Sequence, residues 1–159
     1  MTILLLKAAV LSGLGLWLAT ALLNNIIAFK NGVFAIGMLM DMKLFDQEPV
    51  IDTPLLARRV TSAAWHRLVY SLILLAEAAT VGLLAIAAVA LLGSAFGMVV
   101  QATAVNFANA ALLAFIALAS LMLVGGAWFV YYIKQEGAQI THLVMIGVGI
   151  AAVQMVNGV

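Results

Sequence analysis

Four long apolar runs, almost free of charged residues, constrain this chain more than any other feature of its sequence. A helix needs about 20 mostly apolar residues to cross about 30 Å of hydrocarbon. Only 8% of the 159 residues are charged, against about 25% in ordinary soluble domains. The sequence therefore predicts an all-α membrane protein, a single domain over residues 1–159 built as a bundle of four transmembrane helices.

Polar interruptions set the predicted boundaries of these spans. A long connection over residues 24–61, which begins with an Asn-Asn pair, separates the first two spans. The other connections are tight turns, and the short "KQEGAQ" turn makes the last two spans antiparallel neighbours. The first run is too long for the core of a signal peptide, so we expect it to be a span in which Lys7 reaches the headgroups. The spans are predicted at about residues 2–23, 62–92, 106–133 and 140–156.

The long connection contains helical signals of its own. Its stretch "FKNGVFAIGMLMDMKLF" is apolar but too short to cross the bilayer, which favours an interfacial or re-entrant helical segment. Thr53 followed by Pro54 is a typical helix start, and Ser62 is placed to cap the second span.

The two ends of the predicted bundle differ in charge. All Lys and Arg residues except Lys7 fall at the end that carries the long connection. By the positive-inside rule, this places the long connection in the cytoplasm and both termini outside. Aromatic residues at the same end are typical of an interfacial belt, and they are Trp65, Trp128, Tyr131 and Tyr132.

A histidine, a tyrosine and a glutamate share one face of the second span. With 3.6 residues per turn, His66, Tyr70 and Glu77 lie along one stripe and form a polar track into the membrane. An acid near the bilayer centre costs at least about 2.5 kcal/mol and is by default a functional-site hypothesis. Two interpretations stay open: a proton or quinone path, or a protonated Glu77 that is hydrogen-bonded to a neighbouring helix. Its candidate partners within the chain are Asn24, Asn25 and Ser120.

The sequence contains two other sets of residues that could bind a cofactor or a metal ion. His66 and His142 stand near the starts of spans that begin on the same face of the membrane, and two helical imidazoles at matched depth can ligate a haem b. Interfacial histidines bonded to headgroups or loop carbonyls are the simpler interpretation. Alternating methionines in the connection have thioethers that can bind Cu(I), but packing against lipid or a partner is simpler, and no metal site is predicted. These methionines are Met38, Met40 and Met42.

Three stretches of the chain resemble a known family. "NNIIAFKNGVFAIGMLMDM", "TSAAWHRLVYSLILLAEAAT" and "NFANAALLAFIALASLMLVGGAWF" are similar, in this order, to bacterial predicted small integral membrane proteins catalogued as domain of unknown function 2165. The resemblance implies a four-span bundle in the bacterial inner membrane. It implies no activity, because the family has no established biochemical function. The family pattern matches Asn24, Asn25, Met40, Asp41, His66, Glu77, Gly125, Gly126, Trp128 and Phe129.

The chain also departs from the family pattern. Ala127 stands where relatives usually carry a glutamate, and the histidine that usually precedes the loop Met-Asp is missing. Acid-pair or metal chemistry is therefore not expected here. The resemblance also implies that the connection between the second and third spans is cytoplasmic. Because this is opposite to the count of cations above, the sequence leaves sidedness open.

Taken together, the residues favour a non-catalytic accessory or structural subunit of a larger membrane complex, such as a respiratory or other energy-transducing complex. The alternative is a quinone-, haem- or proton-handling protein that uses the polar track of the second span. A net charge of +1 excludes a strong attraction to nucleic acid, and the absence of cysteine excludes thiolate metal sites. Glycines predict where helices approach each other or a partner, and they are Gly13, Gly15, Gly93, Gly97, Gly125, Gly126, Gly147 and Gly149.

Overall fold

The computed structural model describes residues 1–158, and within these residues the chain forms helices and no strand. Four helices are long and apolar enough to cross a membrane, which confirms the predicted fold class, and a shorter helix lies between the first two. Short 3₁₀ helices lie on the connections at Lys43–Asp46, Pro54–Arg58 and Tyr131–Ile133. The α-helices are α1 (Thr2–Ile27), α2 (Phe29–Met40), α3 (Ala63–Ala95), α4 (Gln101–Trp128) and α5 (Glu136–Asn157).

The four long helices pack in chain order. α1 lies against α3, α3 against α4 and α4 against α5, and α5 also touches α1. The core between them is rich in alanine, whose small side chain lets helix backbones approach closely where lipid provides no hydrophobic driving force. Large apolar side chains cover the outside, as expected for a surface in contact with lipid. The largest fully buried core side chains include Leu11, Leu84, Leu91, Leu112, Phe115 and Val156.

α1 and α2 form one antiparallel arm along α3. As residue numbers rise along α1 and α2, their contacts move steadily toward the start of α3, so α2 continues the direction of α1 after a break at Ala28. We call this pair of helices the α1–α2 arm. The contacts that fix its register are Gly15 with Leu84, Asn25 with Glu77, Gly32 with Tyr70 and Gly37 with His66.

The predicted end of the first span at residue 23 is wrong. α1 continues to Ile27, and its register places Asn25 at the depth of Glu77, about 21 Å from the start of α3. Asparagine often ends a helix because its side chain competes for the backbone. Here the Asn25 side chain bonds to α3 instead, and the helix is not interrupted at that residue.

The last two spans also differ from their predicted limits. α4 begins at Gln101 instead of about residue 106 and ends at Trp128 instead of about 133. Its early end has a local cause, because Val130 adopts a φ of 56°, a conformation that a β-branched residue rarely takes and that no helix continues through. α5 begins at Glu136 instead of about 140.

Three local expectations can be compared with the structure. The Thr53 hydroxyl accepts a hydrogen bond from the Leu55 N–H at 3.4 Å, which confirms the helix start there. Ser62 is the N-cap residue of α3, as predicted, but its side chain makes no capping hydrogen bond to any described residue. Gly97 lies outside α3 in the turn that follows it, with a φ of +75° that favours glycine, so the GxxxG spacing does not mark a helix contact.

Lys7 does not reach the headgroups as predicted. It is 6% exposed, and its ammonium donates hydrogen bonds to the carbonyls of Val156 at 2.8 Å and Gly158 at 3.5 Å. These carbonyls lie at the C-terminal end of α5, where a helix has unpaired acceptors and a partial negative charge. Lys7 therefore joins the beginning of α1 to the end of α5 and closes the bundle.

Candidate functional site

The polar stripe predicted on the second span exists, and it faces the α1–α2 arm. His66, Tyr70 and Glu77 are buried on one side of α3, with 8%, 6% and 5% of their surfaces exposed. The arm covers all three residues, so the stripe is a seam between helices. We call the contacts of these three side chains with the arm and with Val60 the polar seam.

Glu77 is bonded to Asn25, one of its three predicted partners. The Asn25 amide nitrogen donates to both carboxyl oxygens, at 3.1 Å and 3.0 Å. Asn24, the neighbouring candidate, is exposed and points about 100° away from Asn25 around α1. Among the described residues, ion pairs join Lys43 to Asp41 and Arg59 to Asp46, and none includes Glu77. The acid is thus held by a neutral amide.

Tyr70 bonds to the backbone of the same asparagine. Its hydroxyl donates to the Asn25 carbonyl at 3.0 Å, and its ring lies 5.4 Å from the Phe29 ring. The carbonyls of the last helical turn lack partners within their own helix, so the break at Ala28 makes this acceptor available. Gly32 lies directly over the Tyr70 ring, where even a methyl group would overlap it.

His66 holds the end of the long connection. Its Nε2 lies 2.6 Å from the Val60 carbonyl, and since a carbonyl can only accept, this nitrogen carries the proton. Gly37 covers the other side of the ring, where a β-carbon would lie 2.9 Å from Nδ1. Both ring nitrogens of His66 therefore face protein groups.

His142 lies in a separate contact. The Tyr131 hydroxyl is 3.2 Å from His142 Nδ1, and the two rings stack with their centroids 6.0 Å apart. Burial raises the pKa of the Tyr131 hydroxyl, so the phenol keeps its proton in this hydrogen-bonded pair. His66 and His142, which were considered as an alternative haem pair, thus have different protein partners.

The long connection folds onto the end of α4 as a small cap. Its core contains Met42 and Phe45 packed on Val130, and all three are 2% exposed. We call the part of the long connection that packs on the end of α4 the connection cap. Met42, like Val130, has a positive φ. Between Met1 and Gly158 no three His, Asp or Glu side chains gather in a way that could hold a metal ion, and Met42, one of the three methionines considered for copper, packs in an apolar core.

Two cations fasten the connection cap. The Arg58 guanidinium donates to the Trp128 carbonyl at 3.1 Å and lies 4.4 Å above the Trp128 ring. This places a positive charge at the C-terminal end of α4, which favours it, and adds a cation–π contact. Lys134 donates to the carbonyls of Gln47 and Pro49 at 3.3 Å and 3.0 Å.

Most of the positions that match the family pattern lie in the polar seam or at the connection cap, and the exposed Asn24 and Gly125 lie in neither. Asn25, His66 and Glu77 belong to the seam. Gly126 lies beneath the Tyr131 ring, where a β-carbon would be 2.5 Å away, while Gly125 faces outward. At the connection cap, Asp41 pairs with Lys43 at 3.4 Å, Phe129 packs on the apolar core, and Trp128 takes the contact with Arg58.

Sequence reasoning missed several residues that complete these contacts. Gly32 and Gly37, which cover the seam residues Tyr70 and His66, were not singled out. Arg58 and Lys134 were counted only as interfacial charges. A cation just before a span and an exposed tryptophan at the end of another give a weak signal, because pairing them requires the packing order of the helices.

The helices, their apolar surfaces and the buried polar seam define a polytopic α-helical membrane protein with four spans. The chain belongs to the family described as predicted small integral membrane protein (DUF2165), whose model matches residues 3–157. No curated protein and no solved structure matches the chain.

Proposed function

We propose that this chain is a non-catalytic subunit of a larger membrane complex, of the respiratory or other energy-transducing kind, in a bacterial inner membrane. The observation that carries the proposal is the use of the seam residues. His66, Tyr70 and Glu77 are the groups best suited to chemistry in the spans, and each is buried in a contact that joins helices or holds the long connection. The hydrogen-bonding groups of these side chains therefore serve to hold the fold together.

Outward-facing glycines support the part of the proposal that concerns partners. Small residues on a membrane helix allow another helix to pack closely. Gly82 on α3, Gly125 on α4 and Gly147 on α5 have no atom of the described residues within 4 Å of where a β-carbon would stand. These helices therefore present places where a neighbouring subunit can approach the backbone.

The test is recovery of partners from the native membrane. The tagged chain is extracted in a mild detergent, and the proteins that accompany it are identified by mass spectrometry. We expect stoichiometric recovery of a larger enzyme. Gly125→Leu should reduce that recovery because it blocks an open position of α4, whereas Val124→Leu, on the 67% exposed neighbour, should not. Recovery of the chain alone in all preparations would overturn the proposal.

A second candidate is a proton- or quinone-handling role for Glu77. It is favoured by one observation, the absence of a cation beside this acid within residues 1–158, because intramembrane acids often belong to proton relays. Glu77→Gln keeps the shape and the acceptor for Asn25. The second candidate predicts slower quinone-linked turnover in native membranes at unchanged protein abundance, and the subunit proposal predicts no change. A Soret band in the purified protein would support a haem b role for His66 and His142.

A further inference from the structure

The break between α1 and α2 interrupts the backbone hydrogen bonds of the α1–α2 arm. The Ala28 N–H still donates to the Asn24 carbonyl at 2.9 Å, and the helical pattern resumes where the Gly32 N–H donates to the Ala28 carbonyl at 3.1 Å. Between these two bonds, the N–H groups of Phe29 and Lys30 have no backbone acceptor in the described part of the chain. A continuous helix would pair both of them with carbonyls four residues earlier. The arm is two helices because these bonds are missing.

The residues at the break do not explain it. Sharp bends in helices occur at proline, at glycine or serine pairs, at π-bulges, or where a side chain or water inserts among the backbone bonds. Residues 24–31 contain no proline, glycine or serine. In a continuous helix the Asn25 carbonyl would accept from the Phe29 N–H, but here it accepts from the Tyr70 hydroxyl at 3.0 Å. A side chain of α3 is therefore inserted at the point where the backbone bonds stop.

We propose that the Tyr70 hydroxyl keeps the α1–α2 arm broken and that the Asn25 carbonyl acts as a two-position conformational switch. While Tyr70 donates to this carbonyl, the Phe29 N–H has no acceptor and the first helix stops at Ile27. When the hydroxyl is withdrawn, the carbonyl is free to accept from the Phe29 N–H, and α1 and α2 become one helix over residues 2–40. The switch is local, because it needs only one acceptor to change its donor.

The ring of Tyr70 is held by contacts that do not involve its hydroxyl. Gly32 of α2 lies directly over the ring, and the Phe29 ring lies 5.4 Å from it. The Asn25 side chain is also occupied, because its amide donates to Glu77. Substitution of this tyrosine by phenylalanine therefore removes the donor to the Asn25 carbonyl and leaves the packing and the other seam contacts of α3 in place.

A change at the break reaches the connection cap through α2. The part of the long connection that follows α2 begins at Met40, whose carbonyl accepts from the Val60 N–H at 2.9 Å. Val60 is also the residue whose carbonyl bonds to His66 at 2.6 Å. Both ends of this part are thus fastened at the far end of α2. Joining α1 and α2 into one helix changes the path of α2 and, with it, the position of the connection cap.

Alanine ¹³C spectra of the protein in detergent test the switch, because the Cα shift of Ala28 reports whether this residue is helical. Ala28 has a φ of −94° and a ψ of 31° in the broken arm, and Ala8 inside α1 is the helical reference. Tyr70→Phe should shift the Ala28 signal to the helical position of Ala8. Tyr131→Phe is the matched control, because it removes the hydroxyl of another buried tyrosine, which bonds to His142. The control should leave the Ala28 signal unchanged, and an equal shift in both variants would overturn the proposal.

The Phe29 amide gives a second readout in the same samples. In Tyr70→Phe it gains a hydrogen bond, so its exchange with solvent deuterium should slow by about tenfold. The Gly32 amide, which is already bonded to Ala28, is the reference and should change little. An Ala28 signal that stays at its wild-type position in Tyr70→Phe, or a Phe29 amide that exchanges at an unchanged rate, would contradict the switch.

Discussion

Asn25 makes two contacts with α3, one through its side chain to Glu77 and one through its carbonyl to Tyr70. The sequence offered Asn24 and Asn25 equally as partners for the buried acid. The rotation of α1 decides between them, because adjacent residues of a helix point about 100° apart. The structure shows that rotation: Leu11 and Leu18 are buried, and Asn25 follows them at the next interval of seven residues, whereas Asn24 does not. The sequence did not show it, because α1 is apolar on nearly every side.

Replacing Tyr131 tests the contact between Tyr131 and His142 on α5. Tyr131→Phe removes a buried hydrogen bond and should lower the free energy of unfolding by about 1 kcal/mol near neutral pH. Burial raises the pKa of the Tyr131 hydroxyl above its usual value of about 10. The folded protein therefore holds this proton more tightly than the unfolded chain does. The stabilisation is complete below pH 10 and is lost as the pH rises through the folded pKa.

The measurement is thermal unfolding of both proteins in detergent from pH 8 to pH 11. The difference between wild type and Tyr131→Phe should shrink above pH 10. A difference that stays constant to pH 11 would show that the phenol does not titrate as its burial requires.

At the scale of the element, the α1–α2 arm is the feature that sequence patterns represented least well. The polar pair at residues 24–25 looked like the end of a span, and the short helix after it looked like an interfacial segment. The short helix itself was predicted. What the pattern lacked was the register along α3, because the residues that fix it are glycines over buried rings, such as Gly32 over Tyr70 and Gly37 over His66. The sequence around a glycine in one helix does not indicate which ring of another helix it will cover.

Substitution of Gly32 tests the packing of α2 on α3. In Gly32→Ala the added methyl overlaps the Tyr70 ring, which must move and give up its bond to the Asn25 carbonyl. Gly82→Ala is the matched control, because Gly82 is also helical and has open space around it. Both variants gain helix propensity equally, so the difference between them isolates the overlap. We expect Gly32→Ala to be less stable than Gly82→Ala by about 1–3 kcal/mol in thermal or denaturant unfolding. Equal stabilities would mean that α2 does not pack on Tyr70.

At the scale of the whole molecule, the class and the number of spans followed from apolar length and composition alone. These properties depend on whether each apolar run is in contact with lipid or with water. Each span can therefore be recognised from its own residues, without knowing its neighbours. The predicted aromatic belt did not hold for Tyr131, which is 2% exposed and contacts His142. Closure of the bundle depends on pairs that are far apart in sequence, and it was missed. Lys7 looked like an interfacial lysine, because nothing at position 7 indicates that the end of α5 lies beside it.

Replacing Lys7 tests closure of the bundle. Lys7→Met keeps the length of the side chain but removes the donor and the charge at the end of α5. The buried carbonyl of Val156 then loses its partner, and the free energy of unfolding should fall by about 1–3 kcal/mol. Lys30→Met, at the exposed lysine of the arm, should change it by less than about 0.5 kcal/mol. If the two variants lose equal stability, Lys7 does not close the bundle.

The central claim is that the polar residues of α3 serve to join helices, and a double-mutant cycle on Asn25 and Glu77 tests it most directly. Each single change to leucine leaves a buried polar group without its partner, so Asn25→Leu and Glu77→Leu should each cost about 1–3 kcal/mol of unfolding free energy. The double variant removes both groups and should lose less than the sum by about 1 kcal/mol or more. Losses that simply add would mean that the two side chains act independently, and the polar seam would not be what holds the arm to α3.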